Sequence, residues 1–462
     1  MQPLALHPDN PHYFMWRGKP TVLITSGEHY GAVLNLDVDY VTYLDTLAAD
    51  GLNLTRTFVG TYREIPGSFG ITDNVLAPLP HRYLTPWARS DTPGYFDGGN
   101  KFDLTQWDQT FFKRLKDFMT QASRRGIVVE MNLFSPRYED ELWQANPMHA
   151  ANNVNNVGNV PANEAYTTRH PDLLAVQDAV VHKIVTELQE FDNLYYEVCN
   201  EPYASDVTRD WHDHITATIV DTEKDFPATH LISHNVANGC AKVEHPHPAI
   251  SIFNFHYSHP PDTVAMNYHL NKVVGENETG FRGKADVLYR TEGWDFIMAG
   301  GGLYNNLDYS FTPQHPRGDF LDYKSPGGGS PALRKQLKIL QDFISSFSFI
   351  KMSPDNSIIK GGASVFKGNW LQDSISRIKL RITGGASARA LVEPGRAYAI
   401  YLQGGTQVHL GLAIPTGTYK AEWLNTQTGN IEKTEAINHQ GDELRLVSPT
   451  YTEDIALRLV AM

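Results

Sequence analysis

The sequence predicts an α/β fold: a closed (β/α)8 TIM barrel over residues 1–352, with an N-terminal extension, followed by an antiparallel β-sandwich over residues 353–462. Three observations predict it. Short β-rich runs alternate with polar loops and amphipathic helices from Thr21 to about residue 350. That alternation demands parallel pairing, because each return to the same edge of a sheet needs a crossover, usually a helix. After Met352 the chain changes to short alternating runs punctuated by Gly, Pro and Asn, which is how sandwich strands read.

The β-rich runs are TVLIT (21–25), LNLTRTFV (52–59), GIVVEMNLF (126–134), LYYEVCN (194–200), HLISHNV (230–236), ISIFNFHY (250–257), KVVGENE (272–278) and FIMAGGGLY (296–304). Eight such runs fit a closed barrel better than an open doubly wound sheet. Between them, DVDYVTYLDTLAADG spaces its apolar residues as a helix does and stops at Gly51. FDLTQWDQTFFKRLKDFMTQASRRG reads as a helix with Asp103 as its N-cap, Arg124 and Arg125 in its last turn and Gly126 as its stop. PDLLAVQDAVVHKIVTELQEF, DVTRDWHDHITATIVDTEKDF and SPALRKQLKILQDFISSF follow the same logic. Two connections, Gly60 to Lys101 and Ser135 to Pro171, are too long for simple links. Both follow strands, so in a barrel both rise from the C-terminal face, where active sites sit.

With 41% hydrophobic and 20% charged residues, the chain has the make-up of an ordinary globular protein. Its balance is acidic, 52 Asp plus Glu against 39 Lys plus Arg, a formal charge of −13. Nucleic acid and anionic membrane surfaces are therefore poor partners, while neutral ligands fit. No apolar run approaches the length of about 18 residues that spans a bilayer. The start, MQPLALHPDNPHYF, lacks a basic region followed by an apolar stretch, so no secretion signal is expected within it. A cytoplasmic protein, or an exported one whose signal has been removed, fits equally. Cys199 and Cys240 lie in or after apolar runs and are expected to be buried thiols.

In a barrel, polar residues at the C-terminal strand ends face one mouth. Those ends are Glu28 and His29 after the first strand, Arg56 on the second and Asn132 on the third. Asn200 and Glu201 end the fourth, His256 and Tyr257 the sixth, and Glu276 and Glu278 the seventh. The segment YYEVCNEP drives a buried strand into Asn200-Glu201 and stops at Pro202, which delivers a carboxylate rigidly to the mouth. The seventh strand delivers a second from the opposite side. Two carboxyls across a cleft are the apparatus of glycoside hydrolysis. Glu276 and Glu278 are two residues apart, so strand periodicity points both to one face and does not choose between them.

These residues resemble the clan A glycoside hydrolases, a (β/α)8 superfamily with cellulase-like and apiosidase-like members. The latter often carry a C-terminal β domain labelled as collagen-binding. The resemblance rests on Asn200-Glu201-Pro202 at a fourth strand and Glu278-Thr279-Gly280 at a seventh, and covers residues 10–350. It implies a carbohydrate substrate, no cofactor and no metal, with Glu201 as acid/base and Glu278 as nucleophile. It implies also that Asn200 binds the sugar 2-hydroxyl, that Arg56 keeps the nucleophile ionised, and that His256 and Tyr257 complete the site. The expected acid, Glu201, needs a raised pKa. The family's tryptophan platform after the eighth strand is missing; Trp294 and Tyr304 are the nearest aromatic candidates. Two other readings are a metal-dependent barrel hydrolase, suggested by the His clusters at 212–214 and 245–247, and a non-catalytic carbohydrate-binding barrel.

Overall fold

In the computed structural model, residues 2–365, 380 and 384–462 are described. Eight parallel strands form the central sheet: β1 (Leu23–Gly27), β2 (Leu54–Phe58), β3 (Val128–Asn132), β4 (Leu194–Glu197), β5 (Leu231–Asn238), β6 (Ile250–His256), β7 (Val273–Glu278) and β8 (Leu303–Leu307). Their hydrogen-bonded order is β1-β8-β7-β6-β5-β4-β3-β2. The seam between β1 and β2 is closed by the side chain of Asn53. It accepts from Ile24 N at 2.9 Å and donates to Val22 O at 2.9 Å, taking the place of a backbone ladder.

Besides a short helix at Asp140–Gln144 in the loop after β3, the helices are α1 (Tyr40–Ala49), α2 (Gln109–Arg124), α3 (Pro171–Leu188), α4 (Arg209–Glu223), α5 (Asp262–Asn267), α6 (Asp286–Met298) and α7 (Pro331–Ser345). Asp39, Asp108, Thr208 and Ser330 cap α1, α2, α4 and α7 through side-chain bonds to first-turn amides. Three expectations shift. Asp103 is not a cap, because Asn100–Trp107 is a strand paired with Trp87–Pro93 and α2 starts later. The eighth strand lies later than expected, since Phe296–Met298 finishes α6 and glycines 300–302 turn the chain into Leu303. No helix links β5 to β6; a loop over residues 239–249 makes that crossover. Cys199 is buried as expected, whereas Cys240 is exposed.

Inward-facing residues stack in layers. The lowest is apolar: Leu23, Leu54, Val128, Tyr195, Ile252, Val273 and Leu303 pack with Leu4, Phe14 and Trp16 of a small N-terminal sheet. The floor is thus a plug, and only the upper end is open to ligand. The layer above is polar and fully buried: Arg56, Glu130, Glu197 and Asn254.

From Ser353 onward strand pairing turns antiparallel, apart from short Ser364–Val365 beside Ser387–Glu393. One sheet runs Ser353–Pro354, Ser387–Glu393, Ala397–Gln403, Asp454–Ala461, Gly417–Leu424 and Ile431–His439; the other is Ile359–Gly361, His409–Leu412 and Leu444–Val447. Helix α6 ties this module to the barrel. Arg290 donates to Asp454 at 2.7 Å and Glu453 at 2.7 Å, Arg389 pairs with Asp295, and Trp294 stacks on Tyr401 with centroids 5.4 Å apart. Arg290 and Asp454 are almost wholly buried, so Arg290→Ala leaves the Asp454 carboxylate with Tyr401 as its remaining close donor, at 3.0 Å. Loss of one partner of a buried pair costs about 3–5 kcal/mol. A marked fall in the thermal unfolding midpoint of Arg290→Ala is the expected result.

Candidate active site

The open end of the barrel holds a cavity lined by Glu201 and Glu278, with Asn200, Tyr257, His29, Tyr138 and Glu64 among its walls. Glu201 follows β4 in a left-handed conformation, φ 36°. Such backbone costs a non-glycine residue about 1–3 kcal/mol and persists where the surroundings over-determine it. Here they do. Tyr138 donates to Glu201 Oε2 at 2.6 Å, and His256 Nδ1 lies 2.9 Å from Oε1. Asn200 Nδ2 donates to the Tyr138 hydroxyl at 2.7 Å, completing a ring of partners around the acid.

Glu278 is held differently. Arg56 donates to its Oε2 at 3.0 Å and Tyr257 to its Oε1 at 2.6 Å. The guanidinium also reaches Asn200 Oδ1 at 2.8 Å and pairs with Glu197, so one buried cation ties both strand ends together. His256 Nδ1 lies 3.7 Å from Glu278, between the two acids. One oxygen of each glutamate and one nitrogen of His256 all lie within 4.8 Å of one another.

Glu276 does not share that face. Between β6 and β7 the register slips, with Phe255 opposite Glu276 but His256 opposite Glu278. The bulge makes Asn277 an extra inward residue and cancels the period-two argument. Glu276 is buried outside the cavity, where Oε1 accepts from Ser258 N at 2.6 Å. Burial, and then the charge of Glu292, raise its pKa far above the usual carboxylate range, so it is neutral.

The remaining predicted residues divide. His29 lines the cavity. Glu28 turns away: its carboxylate accepts from the amides of Gly31 at 2.9 Å and Ala32 at 3.1 Å. Asn132 is buried at the end of β3 and does not line the cavity. Trp294 faces outward from α6 between Phe343 and Tyr401, and Tyr304 is spent on a hydrogen bond to Tyr289 O at 2.8 Å. Neither reaches the cavity. An outward helix face cannot supply a sugar platform, and Tyr309 stands in the wall instead.

The acid differs from expectation as well. Burial raises the Glu201 pKa, but the His256 bond and charge, with Tyr138 and Arg56, outweigh it and bring it below the usual value. In the free protein Glu201 is therefore ionised. Beneath the site, Glu130 and Glu197 accept from the side-chain amides of Asn254 and Asn277. Burial and the neighbouring Glu197 raise Glu130, whereas Arg56 overcomes burial at Glu197 and lowers it. One proton on Glu130 and one charge on Glu197 result. Glu130, Glu197, Glu64 and Tyr138 were not expected from sequence.

Among the described residues, Glu201, His256 and Glu278 are the one group spaced to hold a metal ion. Its chemistry suits hydrogen bonding better. Both Glu278 oxygens already accept donors, one of them from a guanidinium, and both Glu201 oxygens do likewise. His212 lies against His234, with tilted rings and centroids 4.2 Å apart, in an outer groove that His245 and His247 also line, and His214 bonds Asp178 at 2.8 Å. Neither predicted histidine cluster reaches the cavity.

Solved structures give the same picture of the fold. A glycoside hydrolase family 5 structure from Bacteroides vulgatus matches at TM-score 0.62 and 13% identity, over 99% of this chain and 93% of its own. Another described as a glycoside hydrolase matches at TM-score 0.63 and 15% identity, over 100% and 97%. A family 5 mannosidase from Rhizomucor miehei matches at TM-score 0.51 and 13% identity, over 75% of this chain and 99% of its own. The chain has the fold of the family 5 glycoside hydrolases of clan A. In sequence, DUF6298, a domain of unknown function, matches residues 71–193, from the cavity wall at Ile71 to the residue before β4. No curated protein matches.

Burial raises Glu28 from 4.5 to about 7. A folded-state pKa above the unfolded one gives stability that is complete below about 4.5 and is lost as pH rises through about 7. Glu28→Gln removes this titration, so the thermal midpoint should fall less between those pH values in the variant than in the parent.

Proposed function

We propose that the protein is a retaining glycoside hydrolase acting on O-glycosidic bonds, with Glu278 as nucleophile and Glu201 as general acid/base. The observation that carries this reading is two carboxylates at one cavity with oxygens within 4.8 Å of each other, in unlike surroundings. Retaining enzymes hold their carboxyls about 5–5.5 Å apart, whereas inverting ones leave room for a water between them. The likeness of fold to glycoside hydrolases supports the class of chemistry.

In the first step a Glu278 oxygen attacks the anomeric carbon and the bond to the leaving oxygen breaks. Arg56 and Tyr257 each donate a hydrogen bond to that carboxylate and aim it. The leaving oxygen takes a proton from Glu201. Glu201 is ionised in the free protein and so takes up this proton before the step; bound sugar favours the uptake by excluding water, which raises the Glu201 pKa. In the second step Glu201 takes a proton from water, whose oxygen displaces Glu278 from the anomeric carbon. Neutral Glu276 has no part in this chemistry. We assign the reaction to residues 1–352 and a buttressing role to residues 353–462, consistent with the ion pairs that the latter make to α6.

On aryl glycosides, Glu278→Ala should lose nearly all turnover and regain it with azide, giving a product of inverted anomeric configuration by NMR. Glu201→Gln should lose far more activity on substrates with poor leaving groups than on activated ones. Loss and azide rescue in Glu276→Ala, with Glu278→Ala active, would reverse the assignment.

A further inference from the structure

One end of the cleft is shut. Thr72 N, in the loop after β2, donates to Lys324 O at 2.9 Å, and Lys324 N, in the loop after β8, donates to Thr72 Oγ1 at 2.8 Å. The bridge rests on firm ground. Asn35 Nδ2 holds Val75 O at 2.9 Å, Glu64 N holds Leu76 O at 2.8 Å, and Gly31 packs so closely that a Cβ there would lie 2.3 Å from Val75 O. An extended polysaccharide cannot run straight through a cleft barred in this way.

Between the bridge and the carboxylates, the walls are mostly apolar, with Ile71 and Leu76 on one side and Leu307 and Pro326 on the other. Within this lining stands a buried polar pair. Glu64 is 3% exposed, and both its oxygens lie 3.3 Å from His29 Nε2. Tyr62 donates to the same carboxylate at 3.3 Å, and Asn74 also bonds it. His29 Nδ1 is buried and has no hydrogen-bond partner within the protein. Buried polar atoms are nearly always satisfied, so an unpaired one in a residue of the cavity wall is a candidate ligand contact. His29 lines the same cavity as Glu64 and Glu278, together with Ile71 next to the bridging Thr72.

We propose that the Glu64–His29 pair binds adjacent hydroxyls of a single neutral sugar at the non-reducing end of the substrate, so that the enzyme removes terminal residues one at a time. Glu64, which already accepts from His29, Tyr62 and Asn74, takes one further O–H, the free imidazole nitrogen meets the neighbouring hydroxyl, and the apolar walls cover the C–H faces. The acids on the wall are Glu64, Glu201 and Glu278; Arg56 is bonded to Glu278 from beneath, and the described lining residues include no arginine or lysine to meet a sugar carboxylate. A uronic acid would be repelled there. This inference rests on the glycosidase reading.

The test has two parts. Oligosaccharides labelled at the reducing end are digested and the products sized by mass spectrometry; release of single sugars supports the inference, and early internal fragments overturn it while leaving the glycosidase reading intact. Glu64→Ala and the conservative Glu64→Gln are then compared with the parent on an aryl glycoside and on its deoxy analogues. Loss of a charge-assisted hydrogen bond predicts a fall in kcat/KM of about 10- to 100-fold, mainly through KM. For the deoxy analogue that lacks the contacted hydroxyl, parent and variant should be equal. An equal loss on every analogue marks a purely structural residue and overturns the inference. Absence of turnover by the parent on any glycoside overturns both readings.

Discussion

The guanidinium of Arg56 is the interaction on which the rest of this structure depends. It sits fully buried inside the barrel and touches Glu197, Glu278 and Asn200, so it spans from the polar middle layer to the reacting cavity. Such an ion cluster is a poor device for stability, since well-packed apolar side chains would do as well or better. Its value is positional. Four glutamates, at 130, 197, 201 and 278, crowd the space above the barrel floor, and without a central cation their charges would not coexist there. Arg56 divides them: it lowers the pKa of Glu197 and bonds Glu278, while burial and the neighbouring Glu197 raise that of Glu130.

Below that cluster the barrel is sealed by apolar side chains and a small sheet, and above it the long loops build the walls. The polar layer links the two. Asn254 and Asn277 donate to Glu130 and Glu197, and Asn235 donates to Asn277 at 3.2 Å, so each strand from β3 to β7 contributes to one network. A network of this kind gives a preorganised field at the cavity floor, fixed before any ligand arrives. The ligand adds to an order already present.

Much of this was legible in the sequence because strand periodicity and strand ends are local properties. Seven of the eight strands lie where their β-rich runs suggest, and Asn200-Glu201-Pro202 stands at the end of β4. Legibility failed where geometry departs from the simple period. A one-residue bulge sends Glu276 and Glu278 to different places, a helix overruns the expected eighth strand, and Glu28 folds back onto the amides of its own loop. Glu130 and Glu197 escape a reading of strand ends because they lie inside β-rich runs; their signal is a carboxylate with the parity of the strand ends in VVEMN and YYEVCN. Glu64 and Tyr138 sit on loops, which carry no period to place them.

Five non-glycine residues of the cavity wall, Tyr30, Phe69, Glu201, Tyr257 and Phe281, adopt left-handed backbone. Two of them, Phe69 and Phe281, leave large rings exposed at the rim. Glycine would be the easier residue at each position. An engineer scoring only conformational ease would replace these first, and in doing so would remove the buried Tyr30 ring and the bonds that Glu201 and Tyr257 make, loosening the rim that shapes the chamber. The region most open to stabilisation is thus the one where robustness and selectivity are set against each other.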